Sequence, residues 1–279
     1  MIGNKQLCIV GAGSVAEALI SGILAKKQLL PENITVINKS NNERVHYLVN
    51  KYHVQKALNK GQAIDRADIL ILAFKPADVI EGMKHIHPYT NKKQLTISVI
   101  AGLSTDAISD LLRHDGPVIR TMPNTSAMIG LSATAISKGQ FAEDTDLEIA
   151  KLLLEAIGTV TIVEEKLLNA VTGLSGSGPA YIYYLVEAME SAAIDLGIKQ
   201  ETARELIIQT IIGAGHMLKE TAEEPAILRK NVTSPGGSTM AGLNILEKKH
   251  FQAAMQQAII SATIRSQEMG NILASSTKL

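Results

Sequence analysis

From residue 6 to about residue 163 the chain alternates short apolar runs, many of them β-branched, with longer stretches whose apolar residues recur every three or four positions. Short runs of that kind suit strands buried on both faces, and the periodic stretches suit amphipathic helices. The pattern therefore predicts βαβ units and a mostly parallel sheet covered on both sides. Strands are expected at Gln6–Val10, Ile34–Ile37, Ile69–Ala73, Gln94–Val99, Val118–Thr121, Ser132–Ile136 and Thr159–Ile162. A first helix over Ser14–Lys27 sets Val15, Ala18, Leu19, Gly22 and Ile23 on one face, and Asp144–Ala156 is similarly periodic.

After Glu165 no further strand pattern occurs, and helices are expected at Leu167–Thr172, Gly178–Leu196, Gln200–Glu220, Ala226–Asn231, Thr239–Lys248 and Phe251–Ala274. Ser177 is expected to cap the second of these, with Pro179 in its first turn and Gly197 just past its end. This half is strongly apolar: Ile207, Ile208, Ile211 and Ile212 stand together, and Ala253, Ala254, Ala258, Ile259, Ile260, Ala262 and Ile264 surround most of the last helix. A helix apolar on more than one face is either central in its domain or covered by another chain, which predicts a dimer made through this half.

The 279 residues are enough for two domains, and 46% hydrophobic with 19% charged residues is ordinary for globular proteins. Twenty-seven basic residues balance 27 acidic ones, so no charge footprint points to nucleic acid or an anionic membrane. The opening Met-Ile-Gly-Asn-Lys-Gln lacks the features of a signal peptide, and no apolar run reaches the ~18 residues of a membrane span. Cys8, the single cysteine, lies in an apolar run, so a buried thiol is expected rather than a nucleophile, and the protein reads as cytoplasmic.

Gly11-Ala12-Gly13-Ser14-Val15-Ala16 follows the first expected strand and opens the first helix. At a strand-to-helix turn such glycines permit a tight bend and backbone approach to a pyrophosphate, whose charge the helix N-terminus favours. The expected fold is therefore an α/β Rossmann-type dinucleotide-binding domain over residues 1–164, followed by an all-α domain over 165–279 for substrate binding and dimerisation. The second strand ends in Asn38-Lys39-Ser40, where an acid would hold the ribose hydroxyls of NAD; a lysine flanked by donors suits a 2′-phosphate and predicts NADPH, with NADH the alternative. Asn59 is assigned to the adenine side. Ala73, Lys75 and Pro76 at one strand exit, Ala101 at the next, and Met122, Pro123 and Asn124 at a third fall on the carboxyl edge, where open α/β sheets bind ligands.

Two runs in the second half carry the rest of the chemistry. Thr172-Gly-Leu-Ser-Gly-Ser-Gly-Pro-Ala-Tyr181 aligns its glycines, Gly173, Gly176 and Gly178, with those of the β-hydroxyacid dehydrogenases, but their catalytic lysine position holds Ile182. Val232-Thr-Ser-Pro-Gly-Gly-Ser-Thr-Met-Ala-Gly-Leu243 joins a Pro-Gly turn to a helix start bearing hydroxyls. Alone, Ser234-Pro-Gly-Gly is an ordinary turn between helices; behind a dinucleotide site it becomes a corner for a small carboxylate. No metal site is expected, since none of the seven histidines lies in the glycine-rich motifs.

These motifs, with Ala73-Phe-Lys-Pro76 and Arg120-Thr-Met-Pro-Asn-Thr125, occur in the order and spacing of pyrroline-5-carboxylate reductases, a family that the whole chain resembles. The resemblance implies reduction of the C=N bond of 1-pyrroline-5-carboxylate by NADPH or NADH to L-proline, and a helical domain interlocked with a second subunit, an assembly of dimers being left open. On that reading Ser234, Gly236, Gly237, Ser238 and Thr239 bind substrate, with backbone N–H groups on its carboxylate and the catalytic Thr239 hydroxyl on the ring nitrogen. Ser126 departs from the family, which often has proline there, and a looser loop is expected in consequence. The alternatives are another NADP-linked imine or 3-hydroxyacid reductase of the same plan, or a catalytically idle NADP(H)-binding regulator.

Overall fold

In the computed structural model, residues 2–277 are described. Eight strands, β1 (Leu7–Val10), β2 (Ile34–Ile37), β3 (Gln55–Lys56), β4 (Ile69–Leu72), β5 (Leu95–Ser98), β6 (Val118–Met122), β7 (Ser132–Lys138) and β8 (Gly158–Ile162), form one sheet in the order β3-β2-β1-β4-β5-β6-β7-β8. All neighbours are parallel except β6 and β7. The expected strands all form. β7 runs two residues further than its apolar pattern because Lys138 pairs with Ile119 across the antiparallel ladder. The unexpected β3 is two exposed polar residues, which carry no strand signature.

The helices are α1 (Ser14–Ala25), α2 (Asn42–Tyr52), α3 (Lys60–Asp65), α4 (Val79–Ile86), α5 (Thr105–Leu112) and α6 (Asp144–Leu154), then α7 (Leu168–Val171), α8 (Gly178–Asp195), α9 (Gln200–Thr221), α10 (Pro225–Asn231), α11 (Ser238–Lys248) and α12 (Phe251–Thr277). Alternation along β1 sends Leu7 and Ile9 to one face, where they join Leu19, Ile20 and Ile23 of α1 and Leu153 of α6. Cys8 and Val10 face the opposite layer, with Met83 of α4 and Ile108 of α5. Burial pushes the Cys8 thiol up to about 12. No helix among the described residues is long and apolar enough to cross a membrane.

A buried charge organises the carboxyl edge. Arg120 of β6 is 5% exposed; its guanidinium donates to Asn169 Oδ1 at 3.1 Å and pairs with Glu165 at 3.5 Å. The other contacts of Glu165 are the Thr105 N–H at 2.7 Å and the Thr105 hydroxyl at 2.6 Å, both at the start of α5. Asn169 Oδ1 also accepts from the Ser266 hydroxyl of α12 at 3.0 Å. Next to it the loop after β5 meets α12 backbone to backbone: Gly102 has φ +80, and a Cβ on Gly270 would overlap the Gly102 carbonyl oxygen.

By contacts the chain divides into one unit running to Ser177 and resuming at Ile260, and a second over Gly178–Ile259. The division leaves the residues following Glu165 and the later part of α12 with the sheet. Within the second unit α8 and α9 pack as a hairpin, pinned by Arg204 to both carboxylate oxygens of Glu190 at 2.7 and 3.1 Å. Its buried residues are Ala203 and Ile207 alone, whereas Tyr184, Leu196, Leu206, Ile208 and Ile212 stand exposed. Two buried side chains do not make a core, so this unit depends on surface that it cannot supply to itself.

Ser177 does not cap α8. Its backbone is helical (φ −86, ψ −16), and its N–H reaches the Thr172 carbonyl at 2.8 Å, closing a π-helical turn over Thr172–Gly176. Glycines let that turn widen against a neighbour: a Cβ on Gly176 would lie 2.7 Å from Met122 Cε. Gly197 ends α8 as expected, at φ +86 with the Ile198 N–H on the Ala193 carbonyl at 2.9 Å.

Arg120→Met is expected to cost about 2–4 kcal/mol, because it strands Glu165 and Asn169 without their shared cation. Urea unfolding at fixed protein concentration measures this as a lower midpoint; an unchanged midpoint would count against the network as a stabilising element.

Candidate functional site

The turn between β1 and α1 is built by glycine geometry. Gly11 has φ +122, its N–H donates to the Ile37 carbonyl at 2.8 Å, and a Cβ there would overlap the Ala73 carbonyl oxygen, so only glycine fits. Gly13 is the N-cap of α1, with extended backbone (φ −78, ψ −172), no side chain capping the helix, and nothing within 4 Å of where a Cβ would stand. Gly13 and Ser14 are exposed and Val15 half-buried. The first N–H groups of α1 thus open on free space, the arrangement that receives a pyrophosphate.

The turn is braced from α2. Ala12 is buried, and its carbonyl accepts from Arg44 Nε at 3.0 Å. The same guanidinium pairs with Glu17, which is 5% exposed and also accepts from Lys51 at 3.0 Å, Tyr52 at 3.1 Å and Tyr47 at 3.2 Å. Burial pulls the Glu17 carboxyl up, but the bonds from Lys51, Arg44 and Tyr52 and the charge of Arg44 outweigh it and hold the group at about 2. Sequence reasoning missed this brace. Its trace was the Arg44, Tyr47 and Lys51 spacing along one face of α2.

Asn38, Lys39 and Asn59 line one cavity of about 820 Å³ beside Val10 and Ile37, together with Lys60, Lys84 and His85. The Asn38 side chain folds back to accept the N–H groups of Ser40 (3.2 Å) and Asn41 (2.9 Å), which fixes the loop. Ser40 is exposed, and Asn59 caps α3 by accepting from the Gln62 N–H at 3.2 Å. Lys39 pairs with Glu81 at 2.5 Å, and Lys60 donates to the Lys39 carbonyl at 3.1 Å.

Along the carboxyl edge Ala73 abuts Gly11, Lys75 is exposed at the N-cap of the 3-10 turn Pro76–Asp78, and Ala101 is half-buried beside Gly102. Met122 is half-buried and Pro123 buried. The amide of Asn124 is engaged at both ends: Nδ2 donates to the Ser175 carbonyl and Oδ1 accepts from the Ser126 N–H, each at 3.1 Å. Ser126 therefore tightens the loop that was expected to be looser, since a proline there has no N–H to give. Asn124 serves as a brace between β6 and the π-helical turn.

The residues expected to bind substrate gather at the start of α11. Ser234-Pro-Gly-Gly closes a turn with the Gly237 N–H on the Ser234 carbonyl at 3.0 Å, and Gly236 at φ +74 takes the position that demands glycine after proline. Gly237 is the N-cap (φ −78, ψ 169), again without a capping side chain, and a Cβ on it would lie 2.5 Å from Ser234 Oγ. Ser238 and Thr239 are exposed. Asn41, Asn59 and Ser104 cap α2, α3 and α5 with their side chains, whereas α1 and α11 both start on a glycine that leaves the first N–H groups without a side-chain cap.

Comparison with known proteins matches two stretches of the chain. Residues 165–269 match the family model described as pyrroline-5-carboxylate reductase dimerisation, and residues 6–102 match that of NADP oxidoreductase, coenzyme F420-dependent. Pyrroline-5-carboxylate reductase 2 of Bacillus subtilis is 47% identical over 95% of both chains, and the Synechocystis reductase is 38% identical over 95% of this chain and 98% of its own. Among solved structures, the Coxiella burnetii pyrroline-5-carboxylate reductase superposes with TM-score 0.88 at 30% identity, covering 96% of this chain and 99% of that one. A Plasmodium falciparum pyrroline carboxylate reductase with NADP bound gives 0.85 at 27% identity, covering 96% and 98%.

The Glu17 brace carries a pH signature. Its carboxyl drops from an ordinary 4.5 to about 2 on folding, so its stabilisation is complete above 4.5 and fades as pH falls towards 2. The stability gap between the parent chain and Glu17→Gln should be constant above pH 5 and close on acidification; a gap that widens towards low pH would contradict the assignment.

Proposed function

The chain belongs to the pyrroline-5-carboxylate reductase family, and from that membership we propose how its residues divide the work. It reduces the C=N bond of 1-pyrroline-5-carboxylate with a nicotinamide dinucleotide, giving L-proline, the last step of proline biosynthesis, and it self-associates through its helical half. Residues 1–164 are assigned to the dinucleotide and residues 165–279 to substrate and association. The carrying observation is the pair of open, glycine-capped helix starts, one for each anionic ligand.

When bound, the reduced nicotinamide supplies a hydride. Gly11, Ala12, Gly13, Ser14 and Val15 hold the pyrophosphate at the start of α1, and Asn38, Lys39, Ser40 and Asn59 take the adenosine end. Lys39 at the exit of β2 and Lys60 at the start of α3 support NADPH as the preferred donor, with NADH the alternative. Ala73, Lys75, Pro76, Ala101, Met122 and Pro123 shape the carboxyl edge, and Asn124 holds that edge in place.

At α11 the N–H groups of Gly237, Ser238 and Thr239, oriented by the turn from Ser234 through Gly236, hold the substrate carboxylate. Thr239 Oγ1 bonds the ring nitrogen and orients the C=N bond. A protonated imine is already a good hydride acceptor; hydride addition leaves a neutral amine that takes a further proton from water at neutral pH, so no strong protein acid is needed, and proximity and orientation supply much of the acceleration. The exposed apolar residues of the second unit support an interlocked homodimer, and the buried, unreactive Cys8 suits a cytoplasmic setting.

Oxidation of NADPH and NADH with 1-pyrroline-5-carboxylate, followed spectrophotometrically, tests the reading. The parent chain should favour NADPH, and Thr239→Ala should lower kcat/KM about ten- to a thousandfold; unchanged kcat and KM would remove Thr239 from the site. In a second test, a cofactor-dead Gly13 variant is mixed with a Thr239 variant under conditions of proven subunit exchange. Restored activity is expected if one copy's α11 serves another copy's cofactor, and no recovery would assign each site to a single chain.

A further inference from the structure

The cavity at the adenosine end holds more charge than the β2 exit alone suggests. Lys39, Lys60 and Lys84 line it with His85, and Glu81 adjoins the lining residue Gly82 on α4. Glu81 does not face outward alone: Oε1 lies 2.5 Å from Lys39 Nζ, with both side chains about half exposed. The bond to Lys39, then its charge, hold the Glu81 carboxyl below its ordinary range, so Glu81 is ionised at neutral pH. Meanwhile the Lys39 backbone is pinned, because its carbonyl accepts from Lys60 at 3.1 Å. The loop is fixed while the ammonium, at the end of a flexible stem, can change partner.

We propose that Glu81 sets the chain's discrimination between dinucleotides with and without a 2′-phosphate, by occupying Lys39 and by placing a negative charge where that phosphate would bind. The proposal rests on the reading of Asn38-Lys39-Ser40 as the 2′-phosphate side. A half-exposed ion pair holds its partners weakly, so a phosphate can take the ammonium from Glu81. It does so against a competitor and in the field of an extra carboxylate, which a bare ribose does not feel. Glu81 is thus a specificity-determining residue that weakens the preference: it leaves NADH nearly untouched and lowers the affinity for NADPH.

The test uses the full-length protein and isothermal titration with 2′,5′-ADP and with 5′-ADP, which differ in the 2′-phosphate and need no turnover. Glu81→Gln should tighten 2′,5′-ADP about three- to tenfold and change 5′-ADP by less than about twofold. Lys39→Gln should weaken 2′,5′-ADP alone, and adding Glu81→Gln to it should recover less than Glu81→Gln gives by itself. If Glu81→Gln leaves 2′,5′-ADP unchanged or weaker while Lys39→Gln weakens it, the role of Glu81 is overturned and the reading of Lys39 stands. If Lys39→Gln has no effect on 2′,5′-ADP, the reading of the β2 exit fails and this proposal fails with it.

Discussion

A guanidinium that cannot give up its charge lies almost fully buried in the middle of β6, and its need for partners determines how the carboxyl edge is assembled. Desolvation works against Arg120, and Glu165 answers with charge. Because Glu165 also takes the N–H and hydroxyl of Thr105, the loop between β5 and α5 is fixed relative to the exit of β6. Asn169 accepts from Arg120 and Ser266 with a single oxygen, and so brings α12 into the same network. Four segments far apart in sequence, β6, the start of α5, Glu165–Asn169 and α12, meet through one cation.

The strands and long helices were legible because burial on both faces leaves uninterrupted apolar runs and burial on one face leaves a period near 3.6. β3 was not, because two exposed polar residues bear no such imprint. The glycines of the turns before α1 and α11 were legible through the geometry that demands them, as at Gly11 and Gly236. What the sequence hid was partnership. Nothing local tells that Asn124 is engaged at both ends, that Ser177 continues a π-helical turn instead of starting a helix, or that Arg44 braces the carbonyl of Ala12. Each depends on a residue brought near by the fold, and pairings of that kind leave no periodic trace.

The apolar residues of the helical half were visible in both sequence and structure, and their meaning lies in a mismatch. The long helices α8 and α9 bury only Ala203 and Ile207 between them and leave large aliphatic and aromatic groups in the open. Helix propensity and the Arg204–Glu190 pair shape such a hairpin, but they do not replace a core. Ser238 and Thr239 are equally exposed. The match of residues 165–269 to a dimerisation family model gives this open apolar surface its use, self-association.

The thiol of Cys8 points to a practical property of the molecule. Burial raises the thiol well above its ordinary range and seals the side chain inside the sheet layer, so the reactive thiolate is disfavoured at neutral pH. Among the described residues the single thiol is shielded from thiol-directed dyes. The protein is thus a natural background for attaching a spectroscopic probe: a cysteine introduced on the exposed face of α9 or α11 would be the only one to label, and distances between such probes would report how two copies embrace.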